Sequence, residues 1–147
     1  MHKLLLSVVA AFLMTSSALA SEPPVYTGLF SNTGAGGYDT VSYFEADKPA
    51  KGSSDYSTQY QGASWRFSNA ENLARFKANP ERYAPVYGGY CAWAVSQGYL
   101  AKGDPAHWSI KQGRLYLNYN QSVQDAWLQS PDEFIQQADG NWPGVLN

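Results

Sequence analysis

The sequence predicts an α+β domain in which two antiparallel hairpins form a small sheet covered by three or four short helices. Two pairs of short runs, rich in β-branched and aromatic residues, flank the turns Gln61-Gly62 and Lys111-Gln112-Gly113. Each pair is followed by a segment with the polar start signals of a helix. The chain has 15% aromatic residues and a single cysteine. We therefore expect an aromatic core without an internal disulfide.

The first 20 residues have the order of a cleavable signal peptide. Lys3 precedes an apolar run over residues 4–14, and Ala18-Leu19-Ala20 offers small residues for cleavage between Ala20 and Ser21. The apolar run is shorter than the ~20 residues that span a bilayer. No later segment has that length, so the sequence predicts a periplasmic or secreted chain without a membrane span after cleavage.

The first half is divided into an arm and the start of the packed domain. Residues 21–37 are rich in proline and glycine, which predicts a flexible N-terminal arm before a domain at residues 38–147. Residues 38–44 are predicted as a strand, and residues 56–60 and 63–67 as the first hairpin. Ser68 and Glu71 have capping-box spacing, which predicts a helix that ends before Asn79-Pro80.

The second half repeats the order of hairpin and helix without the regular period of a solenoid. A short helix before Gly98 is predicted to place Cys91 and Val95 on one face. Residues 108–110 and 114–119 form the second predicted hairpin. Asn120 can cap a helix over residues 121–129, and Ser130-Pro131 starts another that ends at Asp139-Gly140.

Composition excludes several functions. Without Lys3, nine basic and twelve acidic side chains remain, and no basic block is present, so we expect no nucleic-acid binding. Both methionines, Met1 and Met14, lie in the predicted signal peptide. The remaining chain therefore has no thioether ligand for Cu(I), and it has one histidine, His107.

Residues 38–85 resemble the YHS domain family, through Tyr38-Asp39-Thr40-Val41, Phe67-Ser68-Asn69 and the run from Phe76 to Tyr83. The whole chain is similar to exported, single-domain YHS-like proteins, through the segment over residues 87–94 and the ending Asn141-Trp142-Pro143. The resemblance implies a small α+β module, often attached to copper or heavy-metal transport proteins. An exported or membrane-bound protein is the partner expected if the chain acts as an accessory domain.

The resemblance also identifies a departure from the metal-binding members of that family. Cysteines in those members correspond to Ser42, Ser68 and Asn72 of this chain. Hydroxyl and amide groups are poor ligands for Cu(I) or Zn(II), which favour thiolate and imidazole. The family's metal chemistry is therefore not expected at these three positions. Asp39 is a further possible ligand, but a turn-forming or capping carboxylate explains it with fewer assumptions.

The remaining candidates for a metal site are Cys91, His107 and Asp104, which offer sulfur, nitrogen and oxygen ligands for a copper or other transition-metal ion. Cys91 lies among glycines and aromatic residues, and at a helix start its thiol would have a lowered pKa. The alternatives are a buried cysteine that acts as a small apolar residue and a histidine that serves only as a surface or hydrogen-bonding group.

The leading hypothesis from the sequence is a non-enzymatic binding module that handles a transition metal through Cys91 and His107. The alternative is a partner-binding accessory domain without metal, in which the aromatic segment 87–108 docks another protein through an exposed apolar patch. A thiol enzyme would need an exposed Cys91 with a depressed pKa, and no orienting motif accompanies this residue.

Overall fold

The structure is a computed structural model that describes residues 21–147. The predicted signal peptide and the Ala20–Ser21 cleavage site lie outside, or at the edge of, these described residues. Within residues 21–147, no helix combines the length and the apolar character that a membrane crossing requires.

The first half of the domain contains a hairpin between short helices. Helix α1 (Ser42–Glu45) is followed by strands β1 (Ser53–Tyr60) and β2 (Ala63–Phe67) and by helices α2 (Ala70–Ala78) and α3 (Pro80–Tyr83). The hairpin turns at Gln61 and Gly62, which both have positive φ. This geometry is typical of a tight two-residue hairpin turn.

The second half has the same order of elements. Helix α4 (Ala92–Ser96) precedes strands β3 (Asp104–Lys111) and β4 (Arg114–Asn118), and helices α5 (Gln121–Leu128) and α6 (Pro131–Asn141) follow. Asn120 caps α5 by accepting a hydrogen bond from the backbone N–H of Val123, as the sequence predicted.

The predicted α+β class is confirmed, with two details changed. The two hairpins form two separate antiparallel two-stranded sheets and not one sheet. The described residues contain six α-helices, where the sequence predicted three or four, because α1 and α3 are single turns.

Two local predictions in the first half are wrong for the same reason. Residues 38–44 do not form a strand, since the side chain of Asp39 accepts hydrogen bonds from the backbone N–H groups of Val41 and Ser42 and turns the chain into α1. Ser68 does not cap α2, because its hydroxyl donates to Asp39. The cap is Asn69, whose side chain accepts from the N–H of Asn72.

The two halves are structurally equivalent, and this equivalence positions the candidate site. Short 3-10 turns, Gly34–Gly37 and Val86–Gly89, begin the two units. Isolated bridges Tyr38↔Lys51 and Tyr90↔Lys102 follow them. Each hairpin then carries an irregularity at the same place, between Ser53 and Ser57 in β1 and between Asp104 and Trp108 in β3. We refer to the two halves as the first and second units.

Each unit has its own aromatic core, and a third cluster joins them. The first core includes Trp65, Phe67 and Phe76, and the second includes Tyr90, Tyr116 and Trp127, all nearly inaccessible to solvent. Tyr43 of the first unit packs with Leu115 and Leu117 of the second. The hydroxyl of Tyr43 also donates to the carbonyl of Pro105 at 2.7 Å. These contacts join the two units into one packed body.

The segment 21–37, predicted as a flexible arm, contacts both units. The side chain of Val25 is buried in the first core. The backbone N–H of Glu22 donates to the carbonyl of Leu146, and that of Tyr26 donates to the carbonyl of Gly88. The arm is therefore docked on the domain at these points.

Candidate functional site

Two of the three positions at which the resemblance implies cysteines, Ser68 and Asn72, direct their side chains at the carboxylate of Asp39. The third, Ser42, contacts this carboxylate through its backbone N–H, while its hydroxyl donates to the backbone carbonyl of Asp39. Its Oδ2 atom accepts hydrogen bonds from the backbone N–H of Ser68 at 2.9 Å, the hydroxyl of Ser68 at 2.7 Å and the side-chain amide of Asn72 at 2.8 Å. Its Oδ1 atom accepts from the N–H groups of Val41 and Ser42 at 2.9 and 3.1 Å. Asp39 is completely buried. We call these residues the Asp39 cluster.

The Asp39 cluster does not fit a soft metal ion. Its donors are hydroxyl, amide and backbone N–H groups, and all of them point their hydrogens at the carboxylate. A Cu(I) or Zn(II) ion needs thiolate or imidazole lone pairs, and the cluster offers none. The hydrogen bonds instead link α1, the end of β2 and α2, as expected for a structural carboxylate. The structural interpretation of Asp39 is thus supported by its contacts.

Cys91 occupies in the second unit the place that Asp39 occupies in the first. The backbone N–H of Asp39 donates to the carbonyl of Ala50, and that of Cys91 donates to the carbonyl of Ala101. In both units an Ala-Lys-Gly sequence carries the accepting alanine, at residues 50–52 and 101–103. Each residue follows a tyrosine that pairs with the lysine of that sequence. Cys91 and Asp39 therefore make the same backbone hydrogen bond, next to the same kind of bridge, at the start of their units.

The thiol of Cys91 is buried, with 1% of the residue exposed. Burial raises the pKa of the thiol above its ordinary value, and the backbone N–H groups of Ala94, Tyr119 and Trp93 offset only part of this rise. The lowered pKa expected from the sequence is therefore wrong, because desolvation disfavours the thiolate more than these groups stabilise it.

Asn118 is the polar side chain beside this thiol. Its Oδ1 atom lies 3.5 Å from Sγ of Cys91 and accepts a hydrogen bond from the N–H of Trp93 at 3.1 Å. Asn118 is completely buried, and its Nδ2 atom has no hydrogen-bond partner among the described residues. A buried amide with a free donor is uncommon in a folded protein and marks a polar position that is open to an acceptor.

A cavity of about 250 Å³ opens beside Cys91. Its lining is mainly apolar and aromatic, and the residues that line it are Cys91, Trp93, Ala94, Tyr99, Ala101, Tyr119 and Val123. Tyr99 and Tyr119 are each nearly half exposed. We call this cavity the Cys91 pocket, and it gives the thiol a route to solvent that its low exposure alone does not suggest.

Neither His107 nor Asp104 lines the Cys91 pocket. Asp104 accepts a hydrogen bond from the N–H of Ala106 at 2.8 Å within β3. His107 lies in the irregular part of β3, and its Nδ1 atom is buried without a hydrogen-bond partner. Across residues 21–147, no three or more His, Cys, Asp and Glu side chains form a group that could hold a metal ion. The metal site of Cys91, His107 and Asp104 stays a prediction.

The aromatic segment 87–108 is largely part of the core. Tyr87 and Tyr90 are 3% and 5% exposed. Burial raises the pKa of both hydroxyls, and that of Tyr87 also donates to the carboxylate of Asp139 at 2.8 Å. Trp93 and Trp108 are partly buried, which leaves Tyr99 as the exposed aromatic side chain of the segment. The segment therefore offers the rim of the Cys91 pocket and not a continuous aromatic patch.

Sequence reasoning missed Asn118 as a site residue. Alternation in β4 predicts that Asn118 lies on the same face as Arg114 and Tyr116. The strand is instead buried on both faces, so Asn118 lies in the interior beside Cys91. The sequence does contain a signal for the interior position of Asn118. Asn118 ends the second hairpin at the place where the apolar Phe67 ends the first.

A model of the YHS domain matches residues 41–87. No curated protein and no solved structure matches the chain. The matched range covers the first unit from its first helical turn and ends at Tyr87, so Cys91, Asp104 and His107 lie outside it. The resemblance predicted from residues 38–85 is confirmed.

Proposed function

The chain contains a YHS domain at residues 41–87, and from this premise we propose that it is a non-enzymatic binding module whose ligand site is the Cys91 pocket of the second unit. The observation that carries the proposal is that the single cysteine lies on an apolar, partly open cavity of about 250 Å³. Small-molecule and cofactor sites are typically concave and mainly apolar, with a few polar groups that fix the ligand.

A soft transition-metal ion, with Cu(I) as the probe, is the ligand chemistry that suits a thiol in an apolar pocket. The Asp39 cluster is excluded as the site for such an ion. Its carboxylate already accepts five hydrogen bonds, and its side chains offer no soft donor. A metal ion must displace the thiol proton of Cys91. Because burial raises the pKa of that thiol, the affinity should increase with pH.

His107 is the proposed second ligand. The support for it is the Nδ1 atom, which is buried and has no hydrogen-bond partner among residues 21–147. A neutral imidazole nitrogen with a free lone pair is a common metal ligand. His107 does not line the Cys91 pocket, so its participation requires a shift of the irregular part of β3. Asp104 is the weaker third candidate, because its carboxylate already binds the N–H of Ala106.

The proposal places the protein in the periplasm or outside the cell after removal of residues 1–20. This location rests on the order of charged, apolar and small residues in that segment. N-terminal sequencing of the protein recovered from the exported fraction tests it. A chain that begins at Ser21 supports the proposal, and one that retains Met1 contradicts it.

Cu(I) titration of the chain 21–147 under anaerobic, reducing conditions tests the binding function. The wild type should bind one equivalent, Cys91→Ser should bind none, and His107→Gln should bind more weakly. Asp55→Asn, at an exposed position on β1, is the control and should bind like the wild type. Binding that survives in Cys91→Ser would exclude the Cys91 pocket as the metal site.

The second candidate is a partner-binding accessory domain without metal. The observation in its favour is that Tyr99 and Tyr119 are 48% and 44% exposed at the rim of the pocket. An apolar side chain of an exported or membrane-bound partner could enter between them. This function gains support if the wild type binds no Cu(I) while Tyr99→Ala weakens binding to the partner.

A further inference from the structure

Because the two units are equivalent, the carboxylate of Asp39 and the thiol of Cys91 occupy the same backbone setting. In the first unit, the N–H groups of Val41, Ser42 and Ser68 donate to the carboxylate of Asp39. In the second unit, the N–H groups of Trp93, Ala94 and Tyr119 lie near the sulfur of Cys91 and oppose part of the rise that burial causes in the pKa of the thiol. In the reduced protein the N–H of Trp93 donates to Oδ1 of Asn118. The donors occupy the same positions, two and three residues after the acidic side chain and one residue after the hairpin.

A cysteine sulfinate resembles an aspartate side chain in charge and in the number of its oxygens, although its sulfur is pyramidal and the carboxylate carbon is planar. Both groups attach one atom with two partly negative oxygens to Cβ, and the charge is −1 in each case. Cysteine is oxidised first to sulfenic acid, which is reversible, and then to sulfinic acid, which is generally irreversible. A backbone setting that holds an aspartate can therefore hold an oxidised cysteine.

We propose that Cys91 is an oxidation site, and that its sulfinate product is held by the backbone N–H groups of Trp93, Ala94 and Tyr119 as the Asp39 carboxylate is held in the first unit. The site takes a hydroperoxide as its oxidant, which enters through the Cys91 pocket. This inference does not rest on metal binding, since it needs neither His107 nor Asp104.

Asn118 supplies an independent observation that points to an added acceptor. In the reduced protein, Oδ1 of Asn118 faces the sulfur at 3.5 Å, while the buried Nδ2 has no partner among the described residues. Rotation of the amide by half a turn would direct Nδ2 at an oxygen on the sulfur, and it would release the N–H of Trp93 from Oδ1 so that this N–H can also donate to the sulfinate. The oxidised site thus gives the free donor an acceptor, and a buried donor that gains a partner stabilises the oxidised form.

The Cys91 pocket gives hydrogen peroxide access to the sulfur. Cys91 lines this cavity of about 250 Å³, although the residue is only 1% exposed. Aromatic and apolar walls supply no competing nucleophile or reductant. The second unit also places Val123 at the position of Asn72, which leaves space on this side without a polar group.

The reaction consumes two molecules of hydrogen peroxide. The thiol first loses its proton to water, and the sulfur attacks one peroxide oxygen. The S–O bond forms, the O–O bond breaks, and the departing hydroxide takes a proton and becomes water. Sulfur loses two electrons and the product is a sulfenic acid. A second peroxide transfers another oxygen in the same way, and the sulfinic acid ionises to the sulfinate.

Treatment of the folded chain 21–147 with excess hydrogen peroxide, followed by mass spectrometry of the intact chain and of the Cys91 peptide, tests the proposal. The expected result is a gain of two oxygen atoms on Cys91, with no third oxygen and no disulfide-linked dimer, while the circular dichroism spectrum stays unchanged. An unmodified Cys91, or a dimer as the main product, would overturn the proposal.

Two variants separate the proposed role from a general tolerance of oxidation. Cys91→Asp should fold with a higher melting temperature than Cys91→Asn, since the two side chains have one shape and the N–H donors favour the anion. Asn118→Asp should reduce the yield of sulfinate several-fold, because it replaces the free donor with a negative charge. A Cys91→Asp variant less stable than Cys91→Asn contradicts the inference, and this comparison holds even if Asn118→Asp does not fold.

Discussion

Replacement of Asp39 by asparagine tests whether the Asp39 cluster holds the first unit together. The substitution keeps the shape of the side chain and removes its charge. The carboxylate accepts two hydrogen bonds at Oδ1 and three at Oδ2, and it is completely buried. An amide nitrogen at either position faces backbone N–H donors that cannot turn away.

The expected loss follows from the geometry. If the amide nitrogen takes the Oδ2 position, the hydroxyl of Ser68 and the amide of Asn72 can reorient, but the N–H of Ser68 loses its acceptor. One buried donor without a partner costs about 1–3 kcal/mol, and the remaining bonds lose the contribution of the charge. The free energy of unfolding should fall by about 3 kcal/mol, which corresponds to a melting temperature lower by roughly 12 °C in a domain of this size.

Urea unfolding of the chain 21–147, followed by the fluorescence of the buried Trp65 and Trp127, measures this loss. Asp55→Asn makes the same chemical change at an exposed position of β1 and should change the free energy of unfolding by no more than about 0.5 kcal/mol. Equal stability of the two variants would refute the structural role assigned to Asp39.

Three further predictions concern the thiol chemistry and the packing. A triple variant with cysteines at the family's positions, Ser42, Ser68 and Asn72, should bind one equivalent of Zn(II) after dialysis, because the side chains of Ser68 and Asn72 meet at the Asp39 carboxylate and the hydroxyl of Ser42 bonds to the backbone carbonyl of the same residue. Absence of zinc would show that the three side chains do not converge. The rate of Cys91 alkylation by iodoacetamide should reach half its maximum at a higher pH than that of free cysteine measured under the same conditions, since burial raises the pKa of the Cys91 thiol and the reactive thiolate forms only at higher pH. A midpoint at or below that of free cysteine contradicts the assigned burial. Gly103→Ala should lower the free energy of unfolding by about 2 kcal/mol, because its Cβ would overlap the backbone carbonyl oxygen of Gly89. Gly140→Ala, on α6 with no heavy atom within 4 Å of the new Cβ, should raise the free energy of unfolding by about 0.5–1 kcal/mol. Equal effects of the two glycine substitutions in urea unfolding would contradict the close packing at Gly103.

The hairpins and the later helices could be predicted from the sequence because their signals are local. Gln61-Gly62 adopts positive φ at both residues, which selects a tight hairpin. Asn120 and Pro131 mark the starts of α5 and α6 through capping and the fixed φ of proline. These features depend on residues within a few positions of each other, so a single sequence contains enough information.

The prediction failed where a distant contact decides the local structure. Residues 38–44 have the composition of a strand, yet the Asp39 carboxylate turns them into α1. The same carboxylate accepts a hydrogen bond from Ser68, which is far away in sequence, so Asn69 caps α2 in place of Ser68. Each of these outcomes depends on a buried charge that local spacing does not reveal.

The candidate site was predicted in part. Cys91 was identified because it is the single cysteine and lies among aromatic residues. Its partner Asn118 was not identified, since the contact joins α4 to the end of β4 and no motif links the two segments. The correspondence of Cys91 with Asp39 has a signal in the sequence, since Gly-Gly-Tyr precedes each residue and Ala-Lys-Gly follows each of them. The equivalent backbone hydrogen bonds show that these shared residues mark the same position in the two units.

An amide chemical-shift map of the chain 21–147, recorded during addition of one equivalent of Cu(I) under anaerobic conditions, tests whether the ligand site lies in the second unit. We expect changes at the residues that line the Cys91 pocket, with Asp39, Ser68 and Asn72 unchanged. Changes centred on the Asp39 cluster, or no change at either place, would contradict the assignment of the ligand site to the second unit.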